Sequence, residues 1–283
     1  MSSSAERAVD GAVALVTGAT DGIGKATART LLERGYAVCI VGWNPHRVES
    51  TASELRSGGA GVTSITADLS LMSDVRRACG EFRSMHDRLD VLILNANAIA
   101  QSRTLTDDGH ERNFALGFLS RALMAMELQS LCAATPGSQM LTVVGLNLAR
   151  MNFDDLTMTT GFSGQKALGA WQWAMQVWAR EFNARQPVPM NIFMPGIVRT
   201  KILDDEPGRM QRMMVGVAKA VIGVSPEKSA QQLLSCVEQV TAEGLRDTYF
   251  SRARAKGHRS LEVSSADGQR VWDLVNSLLA DPR

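Results

Sequence analysis

The chain has 283 residues, with 30 Lys+Arg against 29 Asp+Glu and 45% hydrophobic side chains. With so little net charge nothing draws it to nucleic acid or an anionic membrane surface, so neither is an expected partner and a small-molecule substrate or ligand is. The opening Met1–Gly11 is polar, and no later run approaches the ~18 uninterrupted apolar residues of a membrane span. These features predict a cytoplasmic protein. Cys39, Cys79, Cys132 and Cys236 lie far apart without C-x-x-C spacing and are expected to be reduced, buried thiols.

Short Val/Ile/Leu-rich runs predict strands at Ala12–Thr17, Ala37–Gly42, Gly61–Thr66, Asp90–Leu94, Gln139–Val144 and Met190–Met194, with amphipathic helical stretches between them. Apolar runs buried on both faces indicate a parallel sheet covered by helices. Since no repeat or Pro/Gly/Ser linker divides the chain, the expected fold is α/β: one doubly wound Rossmann-type domain over residues 1–283, with residues 201–224 as a substrate lid. Within the lid, Arg209–Val221 sets Met210, Met213, Met214, Val217 and Val221 on one helical face, a pattern suited to ordinary core. Asp247–Arg283 predicts a short strand and a closing helix.

The first strand runs into Gly18-Ala19-Thr20-Asp21-Gly22-Ile23-Gly24, followed by a helix beginning near Gly22. Glycines there permit a tight turn that presents backbone N–H groups and the positive helix end to a pyrophosphate. Strand, turn and helix in that order are the context that makes a Gly-rich turn informative.

The spacing G-x-x-x-G-x-G resembles the short-chain dehydrogenase/reductase family, and the resemblance runs through nearly the whole chain. Asp68-Leu69 resembles the family's adenine-contacting pair. Asn95-Ala96-Asn97 resembles its N-A-G, with Asn97 in place of the glycine. Pro195-Gly196-Ile197-Val198-Arg199-Thr200 resembles the P-G-x-x-x-T that holds the nicotinamide carboxamide. The retinol-dehydrogenase-like branch is suggested by Asn152-Phe153-Asp154-Asp155-Leu156, by Tyr249-Phe250 and by Val271-Trp272-Asp273-Leu274. Asp154 and Asp155 are read as structural.

The resemblance implies cofactor contacts from Gly18, Thr20, Asp21, Gly22, Ile23, Gly24, Trp43, Asn44, Arg47, Asp68, Leu69, Asn95, Ala96, Pro195, Gly196, Val198 and Thr200. NAD enzymes commonly place an acid about 20 residues beyond the glycines to hold the ribose hydroxyls. Gly42-Trp43-Asn44 occupies that place here, and Lys25, His46 or Arg47 is available to a 2′-phosphate, which favours NADP over NAD. Trp43 replaces the Arg usual in NADP-dependent relatives.

The family protonates a developing alkoxide from the Tyr of a Y-x-x-x-K motif, whose Lys, one helical turn away, lowers the Tyr pKa. This chain has two tyrosines, Tyr36 and Tyr249, followed four residues later by Ile40 and Ala253, so no such motif exists in any register. The favoured register matches Phe162–Gln172 to the motif, with Leu168 in place of the Tyr and Gln172 in place of the Lys. A second register keeps Lys166 as the cation, with Phe162 at the Tyr position. Gly145 falls where the family has its catalytic Ser and Gly117 where it has its Asn, so all four members are expected to be replaced.

Two glycines and a leucine enlarge the expected pocket and make it apolar. The catalytic residues are therefore unknown from sequence; Asn97, Asn147, Trp171, Gln172 and Asn113 are its candidates, able to hydrogen-bond or pack without moving a proton near neutral pH. Trp171, Trp173 and Trp178 share one helix and are expected chiefly to pack against neighbouring elements. No metal is expected, since His46, His86, His110 and His258 lack ligand spacing. Three functions stay open: a repurposed biosynthetic enzyme performing cyclisation, rearrangement or isomerisation; an atypical NADPH-dependent reductase; and a non-enzymatic nicotinamide-binding sensor or interaction protein. Homo-oligomer formation is left open.

Overall fold

A computed structural model describes residues 11–57, 61–145, 149–196, 224–256 and 264–280. In chain order the elements are β1 (Val13–Thr17), α1 (Gly22–Glu33), β2 (Ala37–Gly42), α2 (Pro45–Arg56), β3 (Val62–Thr66), α3 (Met72–Met85) and β4 (Val91–Leu94). A short helix α4 (Arg112–Phe114) then passes through a π turn at Ala115–Leu119 into α5 (Ser120–Ala134). After β5 (Gln139–Val143) come α6 (Gly164–Arg185), β6 (Met190–Met194), α7 (Pro226–Glu243), β7 (Tyr249–Ser251), β8 (Arg254–Lys256) and α8 (Ser265–Ala280).

The eight strands form one sheet in the order β3-β2-β1-β4-β5-β6-β7-β8, parallel except for the β7–β8 pair. This is the doubly wound α/β domain that the alternating runs predict, and the six principal strands begin and end within one residue of their expected bounds. The order reverses between β1 and β4, which opens a crevice at the carboxyl ends of those strands.

Alternate side chains along each central strand feed two cores. Leu15, Cys39 and Leu92 pack with Phe82, Phe118, Trp178 and Val271 on the face covered by α3, α5, α6 and α8. Val16, Ile40 and Ile93 pack with Leu31, Leu55 and Leu233 on the face covered by α1, α2 and α7. All four cysteines are free and buried, and burial pushes each thiol up, Cys39, Cys79 and Cys236 to about 12 and Cys132 to about 11.

The end of the chain differs from expectation. One strand was expected, and two form, joined by a tight turn in which Arg252 takes φ +58°. All of β8 is exposed, so it has no apolar pattern for the sequence to display. The expected closing helix is α8. The Arg209–Val221 stripe and all but the last residue of the expected lid lie outside the described residues, as do Asn147, Val198, Thr200 and His258.

Candidate nucleotide turn and strand-end site

The turn after β1 is held by two glycines and an asparagine. Gly18 has φ +65°, and a Cβ on it would come within 2.7 Å of the Ala96 Cα; one on Gly24 would run into the Gly18 carbonyl and stand 2.6 Å from Asn95 Nδ2. Only glycine tolerates both the left-handed turn and this approach. Asn95 Nδ2 donates to the carbonyls of Thr17 (3.0 Å) and Gly18 (3.3 Å), while the Asn95 and Ala96 N–H groups donate to Thr17 Oγ1 at 2.9 and 3.0 Å. Asn95 and Ala96 thus brace the turn against β4. Helix geometry leaves the N–H groups of Ile23 and Gly24 without intrahelical acceptors, at the positive end of α1.

Asp21 caps α1 through Gly22 N (2.8 Å), and its other carboxylate oxygen accepts from Arg47 Nη2 at 2.8 Å. Asn44 caps α2 through Arg47 N, and Trp43 stands 65% exposed on the adjoining rim. The cations that the sequence offers to a 2′-phosphate are thereby partly engaged: Arg47 pairs with Asp21, and Lys25 pairs with Glu54 at 2.6 Å. Asp68 accepts from Ser70 N and Oγ and from Arg112, beside buried Leu69. Across the crevice, Pro195 and Gly196 (φ +84°) leave the end of β6. The turn suits a pyrophosphate, and the rim carries the exposed ring of Trp43.

At the carboxyl ends of β4 and β5 the structure brings together Gly145, Gln172, Gly117 and Trp171. A Cβ on Gly145 would lie 3.0 Å from both Oε1 and Nε2 of Gln172, and one on Gly117 would lie 2.5 Å from Trp171 Cδ2. Gln172 and Trp171 are 2% and 1% exposed, and Leu168 packs into the core one turn earlier. Lys166, the cation of the second register, lies in the exposed first turn of α6 and donates to the Gly161 carbonyl at 3.1 Å. Neither phenol reaches this end of the sheet: Tyr36 precedes β2, and Tyr249 begins β7.

Asn113, a pocket candidate from sequence, binds Ala100 with both ends of its amide, accepting from its N at 2.7 Å and donating to its O at 3.1 Å. Asn97 follows the Asn95-Ala96 brace, and its buried Oδ1 has no partner among the described residues. Trp173 and Trp178 are core residues; Trp178 stacks on Trp272 at 6.1 Å. The Asp154–Asp155 segment is a turn in which Asp155 accepts from the N–H groups of Thr159 and Thr160. His110 is half-buried in the loop before α4.

Sequence reasoning missed Arg121, four residues beyond Gly117. It is 2% exposed, donates to Thr142 Oγ1 (2.9 Å), Val143 O (2.5 Å) and Ala96 O (3.0 Å), and lies 4.9 Å from the centre of the Trp171 ring. Burial pushes its guanidinium down to about 9, which leaves it cationic at neutral pH. The signal was present as an Arg in the apolar run Phe118–Met124, with no acid three or four residues away to pair with it.

Fold, turn and crevice together define a dinucleotide-binding protein of the doubly wound class. A model of the short chain dehydrogenase family matches residues 12–210, and the chain belongs to that family. Mus musculus retinol dehydrogenase 14 is 27% identical over 287 residues, covering 93% of this chain and 84% of its own. Mus musculus polyprenol dehydrogenase is 29% identical over 257 residues, covering 85% and 75%. These relatives place the chain in the retinol-dehydrogenase-like branch. An alcohol dehydrogenase from Thermococcus sibiricus, solved in complex with 5-hydroxy-NADP, has the same fold, with a TM-score of 0.66, 21% identity and coverage of 88% of this chain and 100% of that one. No described helix is long and apolar enough to cross a membrane.

Proposed function

We propose that this protein is a nicotinamide-dinucleotide-binding member of its family whose catalytic centre has been remodelled to act on a bulky hydrophobic small molecule. The observation that carries the reading is the pair of contacts at the strand ends, where Gly145 faces Gln172 and Gly117 faces Trp171. Among the described residues these positions offer neither the hydroxyl nor the amine through which carbonyl reduction obtains its proton. Loss of a general acid typically costs ~10²–10⁴-fold in rate, so ordinary ketone reduction is slow.

The Gly18–Gly24 turn at the start of α1 would hold the pyrophosphate, Trp43 would pack against the adenine, and Arg47 would approach the ribose. Bound there, the cofactor supplies hydride chemistry or serves as a scaffold wall. NADP is favoured over NAD because no acid follows β2 to repel a 2′-phosphate, although the Asp21–Arg47 pair narrows that preference. At the substrate, Gln172, Asn97 and Trp171 position and solvate the reacting group without exchanging protons with it, which suits cyclisation, rearrangement or double-bond isomerisation. Retinol and polyprenol, the alcohols in the relatives' names, are apolar isoprenoids and agree with a greasy pocket.

The test is titration of the purified protein with NADPH, NADH and their oxidised forms, followed by nicotinamide fluorescence, together with NADPH consumption on a carbonyl panel. The reading expects binding with little turnover. Rapid reduction of simple ketones refutes the remodelled centre, and absence of binding refutes the cofactor.

A further inference from the structure

Arg121 presents a charge that no described residue neutralises. Among the described residues no carboxylate pairs with it, and its three hydrogen bonds go to neutral acceptors at the ends of β4 and β5. Its buried Nε has no acceptor among the described residues. The same holds for Nε1 of Trp171, the ring that packs against the guanidinium. Two touching groups, both more than nine-tenths buried, thus each hold an N–H donor with nothing to receive it. Close by on the chain are two orphaned acceptors: Gln172 Oε1, next to Trp171 in α6, and Asn97 Oδ1, next to the Ala96 whose carbonyl Arg121 holds.

A buried donor without an acceptor forfeits most of the value of a hydrogen bond, and native proteins leave few of them. Here two orphaned donors, Arg121 Nε and Trp171 Nε1, belong to one packed pair at the carboxyl ends of the central strands, where this class of sheet receives its ligands. Two unused donors beside an unneutralised cation call for an acceptor that carries negative charge. Neutral polar acceptors would satisfy the donors and leave the charge uncompensated.

We propose that Arg121, with Trp171 Nε1, forms an anion-recognising floor to the Gly145–Gln172 site, and that the ligand is an apolar molecule bearing an acidic oxygen, either a carboxylate or the oxygen of an enolised carbonyl. The inference rests on the functional reading only in taking these strand ends as the ligand site; it requires no particular cofactor. The cation that relatives place on the helix of α6 is replaced, in this chain, by one on α5 that holds charge without delivering a proton.

The experiment is calorimetric titration of the whole chain with two matched pairs of probes: 2-naphthoate against neutral 2-naphthamide, and dimedone, ionised at neutral pH, against neutral isophorone. The wild type is expected to prefer at least one anion over its neutral partner on the order of tenfold or more, as hydrogen bonds to charged groups are worth. The pair that shows the preference distinguishes carboxylate from enolate. Arg121→Lys retains part of it, and Arg121→Met abolishes it while leaving the neutral probe bound.

Equal affinities within both pairs overturn the proposal, as does failure of all four probes to bind at millimolar concentration. A preference that survives in folded Arg121→Met also overturns it and leaves Arg121 a strut between β4 and β5. The wild-type comparison decides the matter even if the Met variant does not fold. NADPH titration of the same samples keeps the two readings apart, since loss of nicotinamide binding strikes the functional reading while the probe ratios strike this one.

Discussion

Replacing Gly117 by alanine sets a methyl group against the indole of Trp171. The added Cβ would lie 2.5, 2.6 and 2.9 Å from Cδ2, Cε2 and Cγ of the ring, against ordinary carbon contacts of about 3.5–4.0 Å. Ring or helix must therefore yield by roughly 1 Å, and the ring is fully buried, with Arg121 packed over it. Overpacking of this kind costs about 1–3 kcal/mol, and the helix regains about 0.5–1 kcal/mol when alanine replaces glycine. The net expectation is destabilisation by up to roughly 2.5 kcal/mol, which lowers the melting temperature by as much as several degrees in a chain of this size.

In a Trp171→Leu background the obstruction is gone, and the same Gly117→Ala change should stabilise by up to about 1 kcal/mol. Urea unfolding of the four proteins closes a double-mutant cycle whose signature is this reversal of sign. If Gly117→Ala stabilises the parent protein, or costs the same in both backgrounds, Trp171 does not fill the space above Gly117 and the account of the site is wrong. The geometry also explains why asparagine cannot simply be returned to position 117: its Cβ meets the same ring.

The triple variant Gly145→Ser, Leu168→Tyr, Gln172→Lys is expected to restore part of the ~10²–10⁴-fold that a general acid contributes, read as NADPH oxidation on a carbonyl panel; a folded variant no faster than the parent counts against the register. The new Ser Cβ meets only the end of residue 172, so the fold should accept it. Asp21→Asn releases Arg47 and should raise the NADPH-to-NADH affinity ratio severalfold, an effect of exposed charge that fades with added salt; an unchanged ratio at low salt removes Arg47 from cofactor choice. Glu111 is buried while it accepts from the N–H groups of Asn113 and Phe114, and burial holds its carboxyl above the ordinary value. The folded chain thus keeps that proton to higher pH than the unfolded chain, so Glu111 subtracts stability as pH climbs from the unfolded pKa through the folded one. The slope of unfolding free energy against pH, measured from about pH 4 to 6, should be more positive in Glu111→Gln than in the parent, and identical slopes would show that Glu111 does not titrate as burial requires.

The sequence by itself determined the α/β class, the strand positions and the nucleotide turn. Those depend on local signals: apolar runs such as Ala37–Gly42, glycines at positions where any Cβ collides, and caps such as Asp21 and Asn44. The loss of Y-x-x-x-K was equally plain, because it depends only on spacing from Tyr36 and Tyr249. β8 was invisible because an exposed edge strand has no apolar periodicity. Tertiary structure alone decided that Asn113 is committed to Ala100, that Arg47 is held by Asp21, and that Gln172 faces Gly145 while Lys166 stays at the surface. Above all it decided the role of Arg121. Its acceptors, Ala96, Thr142 and Val143, lie 21 to 25 residues away in sequence, and the charge of a side chain takes on its meaning only when long-range packing has removed it from water.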